Sequence, residues 1–223
     1  MEKQDKKNRD YKLIIFDVDG TLLDTAEGII NSVKYTIAHM GYRELGKEEL
    51  YSFVGPRIQD SLQNVYGLHG SELKEAATVF RNYYKKGDVL LATPYNGIYE
   101  VLSALRSRGT HLVIATNKRQ DFVDELLQKF NLNSYFELVC GTDINGKLTK
   151  TDLILKCLNS FFDCTKADAV MIGDSTYDAI AAQNAEVDFI GVTYGYEFKQ
   201  KQDVDKWKNI GVAHNIVDIL QLC

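Results

Sequence analysis

Leu13-Ile14-Ile15-Phe16-Asp17-Val18-Asp19-Gly20-Thr21 decides how the rest of this 223-residue chain is read. A short β-branched run that ends in two acids and a glycine reads as a buried strand stopping at Asp17. Both carboxylates then stand at the strand's C-terminal end, the edge where ligands bind in open α/β sheets. Residues two apart on a strand share a face, but Gly20 turns the chain here, so the two side chains need not stay parallel. Carboxylates this close repel one another unless a cation or a proton lies between them.

A divalent metal resolves that repulsion, and hard oxygen ligands suit magnesium, which takes one or two carboxylates with water and phosphate oxygens. In such a site Asp17 has the chemistry to attack a phosphoryl group and Asp19 to handle the leaving group's proton. Asp and Gly after a strand are also ordinary turn chemistry. The choice between the two readings depends on further acids and cations downstream.

Beyond Ile98 the pattern alternates. Helical faces at Ile98–Leu105, Phe122–Phe130, Leu153–Phe161 and Tyr177–Ala185 are interleaved with strands at Leu112–Ala115, Phe136–Cys140, Ala169–Ile172 and Phe189–Val192. That order predicts a parallel sheet of five strands with right-handed crossovers, closed by a helix through Ile216, Ile219 and Leu220. Before Ile98 four helical patterns follow one another without a strand. Ile29, Ile30, Val33, Ile37 and Met40 share the first face, entered through a capping-box spacing at Asp24-x-x-Glu27 and closed by Gly41. The others are Lys47–Phe53, Ile58–Val65 and Leu73–Tyr84, punctuated by Gly55-Pro56, Gly67 and Gly87.

The expected architecture is therefore an α/β core, 11–24 and 90–223, carrying an all-helical cap at 25–89. Its two linkers, at Asp24 and Leu90–Gly97, lie together and predict a hinge over the acidic edge. Residues 1–10 read as a frayed polar tail.

Four more stretches carry chemistry. Thr116 and Asn117 precede a helix, where a hydroxyl and backbone N–H groups either seat a phosphate or cap the helix. Gly173-Asp174-x-x-x-Asp178 sets two acids on one side of a helix start, where they either converge on a cation or act as N-terminal caps. Lys147 and Lys150 lie before the Leu153 helix. Arg57, in Val54-Gly55-Pro56-Arg57, is either a surface cation or a guanidinium aimed by a rigid turn at a second anionic group.

Taken in order, these stretches resemble the four motifs of the haloacid dehalogenase superfamily, in its phosphatase and phosphomutase branch. Asp17-Val18-Asp19-Gly20-Thr21-Leu22-Leu23-Asp24 is similar to the first, Thr116 to the second, Lys150 to the third and Gly173-Asp174-x-x-x-Asp178 to the fourth. The resemblance implies a Rossmann-like core with a helical cap, Asp17 as a nucleophile forming an aspartyl-phosphate, and Asp19 as acid and then base. It implies that Gly20, Thr116 and Asn117 meet the phosphate, and that Lys150, with Lys147 as the neighbouring candidate, offsets the developing charge. Mg2+ would be held by Asp17, the Asp19 main-chain carbonyl and Asp174, with Asp178 in support. Cap loops in this branch often reach the active site, which makes Arg57 a candidate specificity residue.

The expected activity is hydrolysis of a small phosphomonoester of phosphoglycolate, sugar phosphate or nucleotide type. A β-phosphoglucomutase-like enzyme is the near rival and must shield its phospho-aspartate from water. A phosphorylatable receiver-like module is the non-enzymatic rival, but receivers lack a helical insert after the first strand. Dehalogenation does not call for the acid at Asp19.

Composition narrows the partners. A net charge of -5 weighs against a nucleic-acid polymer or an anionic membrane surface, both of which need basic stripes. No apolar run approaches the roughly 18 residues of a membrane span, and the N-terminus has no signal-like apolar segment. The expectation is a cytoplasmic protein, a monomer or weak dimer, acting on a small phosphorylated metabolite. Its 4 cysteines lack C-x-x-C spacing and read as free thiols.

Overall fold

β1 (Leu13–Phe16) is buried along its whole length, which is what an uninterrupted apolar run demands of a strand covered on both faces. The structure, a computed structural model, describes residues 10–143 and 147–223; residues 1–9 of the expected tail lie outside the described residues. After β1 come β2 (Leu23–Asp24), then α1 (Ala26–Met40), α2 (Lys47–Tyr51), α3 (Ile58–Tyr66) and α4 (Gly70–Tyr84). A 3₁₀ turn at Asp88–Leu90 leads to β3 (Thr93–Pro94) and α5 (Ile98–Ser107). Then follow β4 (His111–Arg119), α6 (Gln120–Lys129), β5 (Leu138–Thr142), α7 (Lys150–Asn159), β6 (Ala169–Gly173) and α8 (Thr176–Ala185). The chain ends through β7 (Asp188–Val192), α9 (Lys201–Val204), β8 (Gly211–Ala213) and α10 (Ile219–Leu222).

Six parallel strands form one sheet in the order β5-β4-β1-β6-β7-β8. β1 is internal, with Leu13 opposite both His111 and Ala169. Alternation along it divides the core: Ile14 and Phe16 face one hydrophobic cluster, Leu13 and Ile15 the other. The first cluster runs on into the helical insert through Ile29, Val33, Leu62, Phe80 and Tyr84. The strand order reverses at β1, so the crevice for a ligand lies beyond the C-terminal ends of β1, β4 and β6.

The structure departs from the sequence reading in several places. The sheet has a sixth strand, β8, which at three residues is too short to leave an alternation. The two linkers pair as a small antiparallel ribbon, Leu23 with Pro94 and Asp24 with Thr93. β4 does not end at Ala115 but continues to Arg119, with a register irregularity between those residues where it meets β5. The N-cap of α1 is Thr25 rather than Asp24, and no capping box forms there, because the Thr25 hydroxyl is engaged elsewhere. The closing helix is a single turn preceded by a 3₁₀ turn at Ile216–Asp218.

Two close approaches fix α1 against the end of the insert. A side chain at Gly28 of α1 would put its Cβ 1.9 Å from the Asp88 carbonyl oxygen. Next to it the Ser32 hydroxyl donates to Asp88 Oδ2 at 2.8 Å.

Candidate active site

β1 delivers Asp17 and the pairing with β6 holds it, since the Asp17 N–H donates to the Ile172 carbonyl at 3.0 Å. The chain then folds on itself, the Val18 carbonyl accepting from the N–H groups of Thr21, Leu22 and Leu23. Gly20 has φ +80, and a Cβ there would lie 2.2 Å from Asp174 Oδ2, so both the turn and the crowding exclude a side chain. Asp174, at the end of β6, is fixed from the other side by the Tyr196 N–H, which donates to its Oδ2 at 2.5 Å.

Asp17, Asp174 and Asp178 come together. Each offers a carboxylate oxygen, and these atoms lie within 4.8 Å of one another. All three side chains are buried. Lys150, the first residue of α7, extends into the cluster, its Nζ 2.7 Å from Asp17 Oδ1 and 2.6 Å from Asp178 Oδ1. Neither of those oxygens has an aligned hydrogen bond. Asp178 satisfies both readings of its motif: Oδ2 closes a capping box on the Ser175 N–H and hydroxyl, while Oδ1 faces the lysine. Lys147 is exposed and stands apart from the cluster.

Three buried carboxylates around one ammonium leave an excess of negative charge, and the titration behaviour reflects it. Burial raises the pKa of Asp17 to about 7, the charges of Asp178 and Asp19 push the same way, and Lys150 opposes them. Burial likewise holds Asp174 well above the usual carboxylate range, reinforced by Asp178. Burial works against the Lys150 ammonium, but Asp17 and Asp178 outweigh it and raise its pKa. A hard dication with oxygen ligands fits this donor set: the acids are there, buried, under-neutralised and carrying lone pairs with no aligned donor.

The side chain of Asp19 turns away from the cluster. Its Oδ1 accepts from the Thr25 hydroxyl at 2.5 Å and from Lys118 Nζ at 2.8 Å. Metal ligation by its carboxylate is therefore not what the geometry offers, which leaves its main-chain carbonyl, the group the resemblance implies for that task. Lys118 is as buried as its partner, and burial of its ammonium is outweighed by Asp19, then Tyr84, so that its pKa rises.

Thr116 is fully buried at the mouth of β4, its Oγ1 accepting from the Lys118 N–H at 3.2 Å. Beside it the Asn117 carbonyl accepts from the Thr142 hydroxyl at 3.1 Å. Arg57 caps no helix with its side chain but forks onto Asp60, Nε to Oδ2 at 2.7 Å and Nη2 to Oδ1 at 3.1 Å. It shares with Asp19, Asn117 and Lys118 the wall of a cavity of about 70 Å³ between the insert and the sheet.

Lys118, Thr25 and Tyr196 were missed in the sequence. Lys118 stands directly after Thr116-Asn117, and only its place in that triplet distinguishes it from a solvated strand-end lysine. Tyr196 accepts from the N–H groups of Thr25 and Ala26 at 2.5 and 3.1 Å and donates to Asp24 Oδ1 at 2.6 Å. One of 13 tyrosines, it carries no local signal of that role. The four cysteines are free, as expected.

Comparison with known proteins agrees with this arrangement. Residues 14–192 match the family model described as haloacid dehalogenase-like hydrolase. A phosphoglycolate phosphatase of Agrobacterium fabrum is 34% identical, over 82% of this chain and 81% of its own. A 5'-nucleotidase of Pseudomonas aeruginosa is 31% identical, over 83% and 84%. The crystal structure of a predicted phosphatase from Clostridium acetobutylicum has 36% sequence identity and a TM-score of 0.87, covering 94% of this chain and 96% of that one. With its acids on the strand ends of a parallel sheet and a match across most of its length, the chain is an enzyme of the haloacid dehalogenase-like hydrolase family.

Proposed function

We propose that this enzyme is a magnesium-dependent phosphatase of a small phosphomonoester, working through an aspartyl-phosphate on Asp17. The carrying observation is the division of labour among the acids: Asp17 lies in a buried cluster with Asp174, Asp178 and Lys150, while Asp19 is held apart by Thr25 and Lys118. One carboxylate is thus placed to form a bond and the other to move a proton. Relatives named phosphoglycolate phosphatase and 5'-nucleotidase support the substrate class.

Asp17, the Asp19 main-chain carbonyl and Asp174 would hold Mg2+, with Asp178 in support. Bound there, the ion offsets charge on the transferring phosphoryl group. An Asp17 oxygen attacks phosphorus in line as the bond to the leaving oxygen breaks, with Lys150 balancing charge on the equatorial oxygens. The Thr116 hydroxyl and the Asn117 amide supply donors to the same oxygens. An incoming phosphate dianion competes with Asp19 for the Lys118 ammonium and so releases an Asp19 oxygen, which takes up a proton from solvent before the leaving group departs. Asp19 gives that proton to the departing alkoxide and takes one back from the water that hydrolyses the phospho-aspartate. Helices α1–α4 act as a cap that closes over the site, hinged at the β2–β3 ribbon and excluding bulk water.

The test is phosphate release from a panel of phosphorylated metabolites, with and without magnesium. Asp17→Asn is expected to lower turnover about 10³-fold or more. Turnover retained in that variant removes Asp17 as nucleophile, and isomerised product without free phosphate replaces the phosphatase with a mutase.

A further inference from the structure

Four cations line the small cavity beside Asp19: Arg57, Arg81, Lys118 and Arg119. Three of them have a carboxylate at contact distance. Arg57 is held by Asp60, Lys118 by Asp19, and Arg119 by both oxygens of Asp121. Arg81, on α4, has no such partner among the described residues. The acid that acts on it from a distance is Asp121, which Arg119 has already taken. Burial, and then the charge of Arg119, lower the pKa of the half-buried Arg81 guanidinium, and the charge of Asp121 offsets them only in part.

A second, independent observation points to the same place. Tyr84 lies one turn further along the same face of α4 and lines the same cavity. It is only 2% exposed, and its hydroxyl lies against the Lys118 ammonium, towards which it is an acceptor, while its own proton meets no acceptor among the described residues. The Lys118 ammonium sits 5.3 Å from the centre of the tyrosine ring. A buried hydroxyl whose proton has no acceptor and a guanidinium with no carboxylate at contact distance share one deficit: both lack an acceptor.

We propose that Arg81, with the Tyr84 hydroxyl beside it, seats a second anionic group of the substrate, so that the preferred phosphomonoester also carries a carboxylate or a further phosphate. This rests on the phosphatase reading above and narrows it. The forked guanidinium matches either group through two parallel hydrogen bonds, and the tyrosine donates a third. A cavity of about 70 Å³ has room for about five water molecules, which suits a short substrate with its two charges close together. Arg81 belongs to the insert and Asp17 to the sheet, so such a substrate bridges the two and holds them together.

Phosphoglycolate and ethyl phosphate differ by the carboxylate, which makes them the probe pair. Arg81→Gln is expected to lower the ratio of their kcat/KM values at least tenfold, chiefly through the KM for phosphoglycolate, with Arg81→Lys recovering part of the loss. A ratio unchanged from wild type overturns the proposal, whether the two rates hold or fall together. Thermal unfolding shows whether each variant is folded. Where Arg81→Gln is not, Tyr84→Phe decides by the same ratio, a fall supporting the seat and an unchanged value overturning it.

Calorimetric titration of the Asp17→Asn protein with the two compounds reads the seat without turnover. Tighter binding of phosphoglycolate that Arg81→Gln selectively removes supports the proposal; equal binding, or an equal loss, overturns it. A wild-type protein that binds phosphoglycolate selectively yet hydrolyses neither compound sinks the phosphatase reading and leaves the seat standing.

Discussion

Lys118 and Asp19 show what a single charge does inside this fold. Their side chains are each 5% exposed and 2.8 Å apart. Removing one partner of a buried pair strands the other, at a cost of about 3–5 kcal/mol. Lys118→Met is therefore expected to lower the unfolding free energy by about 3 kcal/mol in urea titration, whereas Arg43→Met, which breaks the exposed Arg43–Glu49 pair, leaves the midpoint in place. Asp17, Asp19, Asp174, Asp178 and Lys150 were legible because strand ends and helix starts are marked in the sequence by apolar runs, Gly and turn residues. Lys118 was not. Its burial depends on the Asp19 side chain turning away from the acidic cluster toward β4, and no spacing along the chain encodes that turn. The capping box at Asp24 failed for a related reason, since Asp24 Oδ1 accepts from the Ala26 N–H and from the distant Tyr196 hydroxyl.

Among the elements, α1 shows how closely the insert is fitted to its own last turn. A methyl group at Gly28 would meet the backbone of Asp88, which has no flexible end to move aside. Gly28→Ala gains helix propensity yet is expected to cost about 2 kcal/mol or more, seen as a lower denaturation midpoint with the same slope. A neutral or stabilising result means that the 3₁₀ turn at Asp88–Leu90 gives way freely. The long helices and the five longer strands were readable from periodicity, because each is long enough to show a face. β2, β3 and β8 have two or three residues, and their conformation is set by the strand alongside rather than by their own sequence. Leu23 and Asp24 form a strand because Thr93 and Pro94 lie opposite them, a pairing invisible until the insert between them has folded.

At the scale of the whole molecule, the acidic cluster links folding to the cation. Its buried carboxylates oppose the native state when nothing offsets them, so an ion that binds the folded form alone adds RT ln(1 + [L]/Kd), about 2.7 kcal/mol at a hundredfold excess over Kd. For a chain of this length that corresponds to about 5–10 °C in Tm. Thermal scans with magnesium and then with a chelator are expected to show the shift, and Asp174→Asn to abolish most of it. Equal melting temperatures in the two conditions contradict the metal site. The interior position of β1 has another consequence, for biosynthesis. Leu13–Phe16 leaves the ribosome well before the strands that flank it, which start only at His111 and Ala169. Until β4 has emerged this apolar ribbon has both edges bare, and the helices that emerge in between are what can shelter it. The nascent polypeptide thus passes through an adhesive stage that the finished enzyme conceals, and crowding or slow elongation would prolong it.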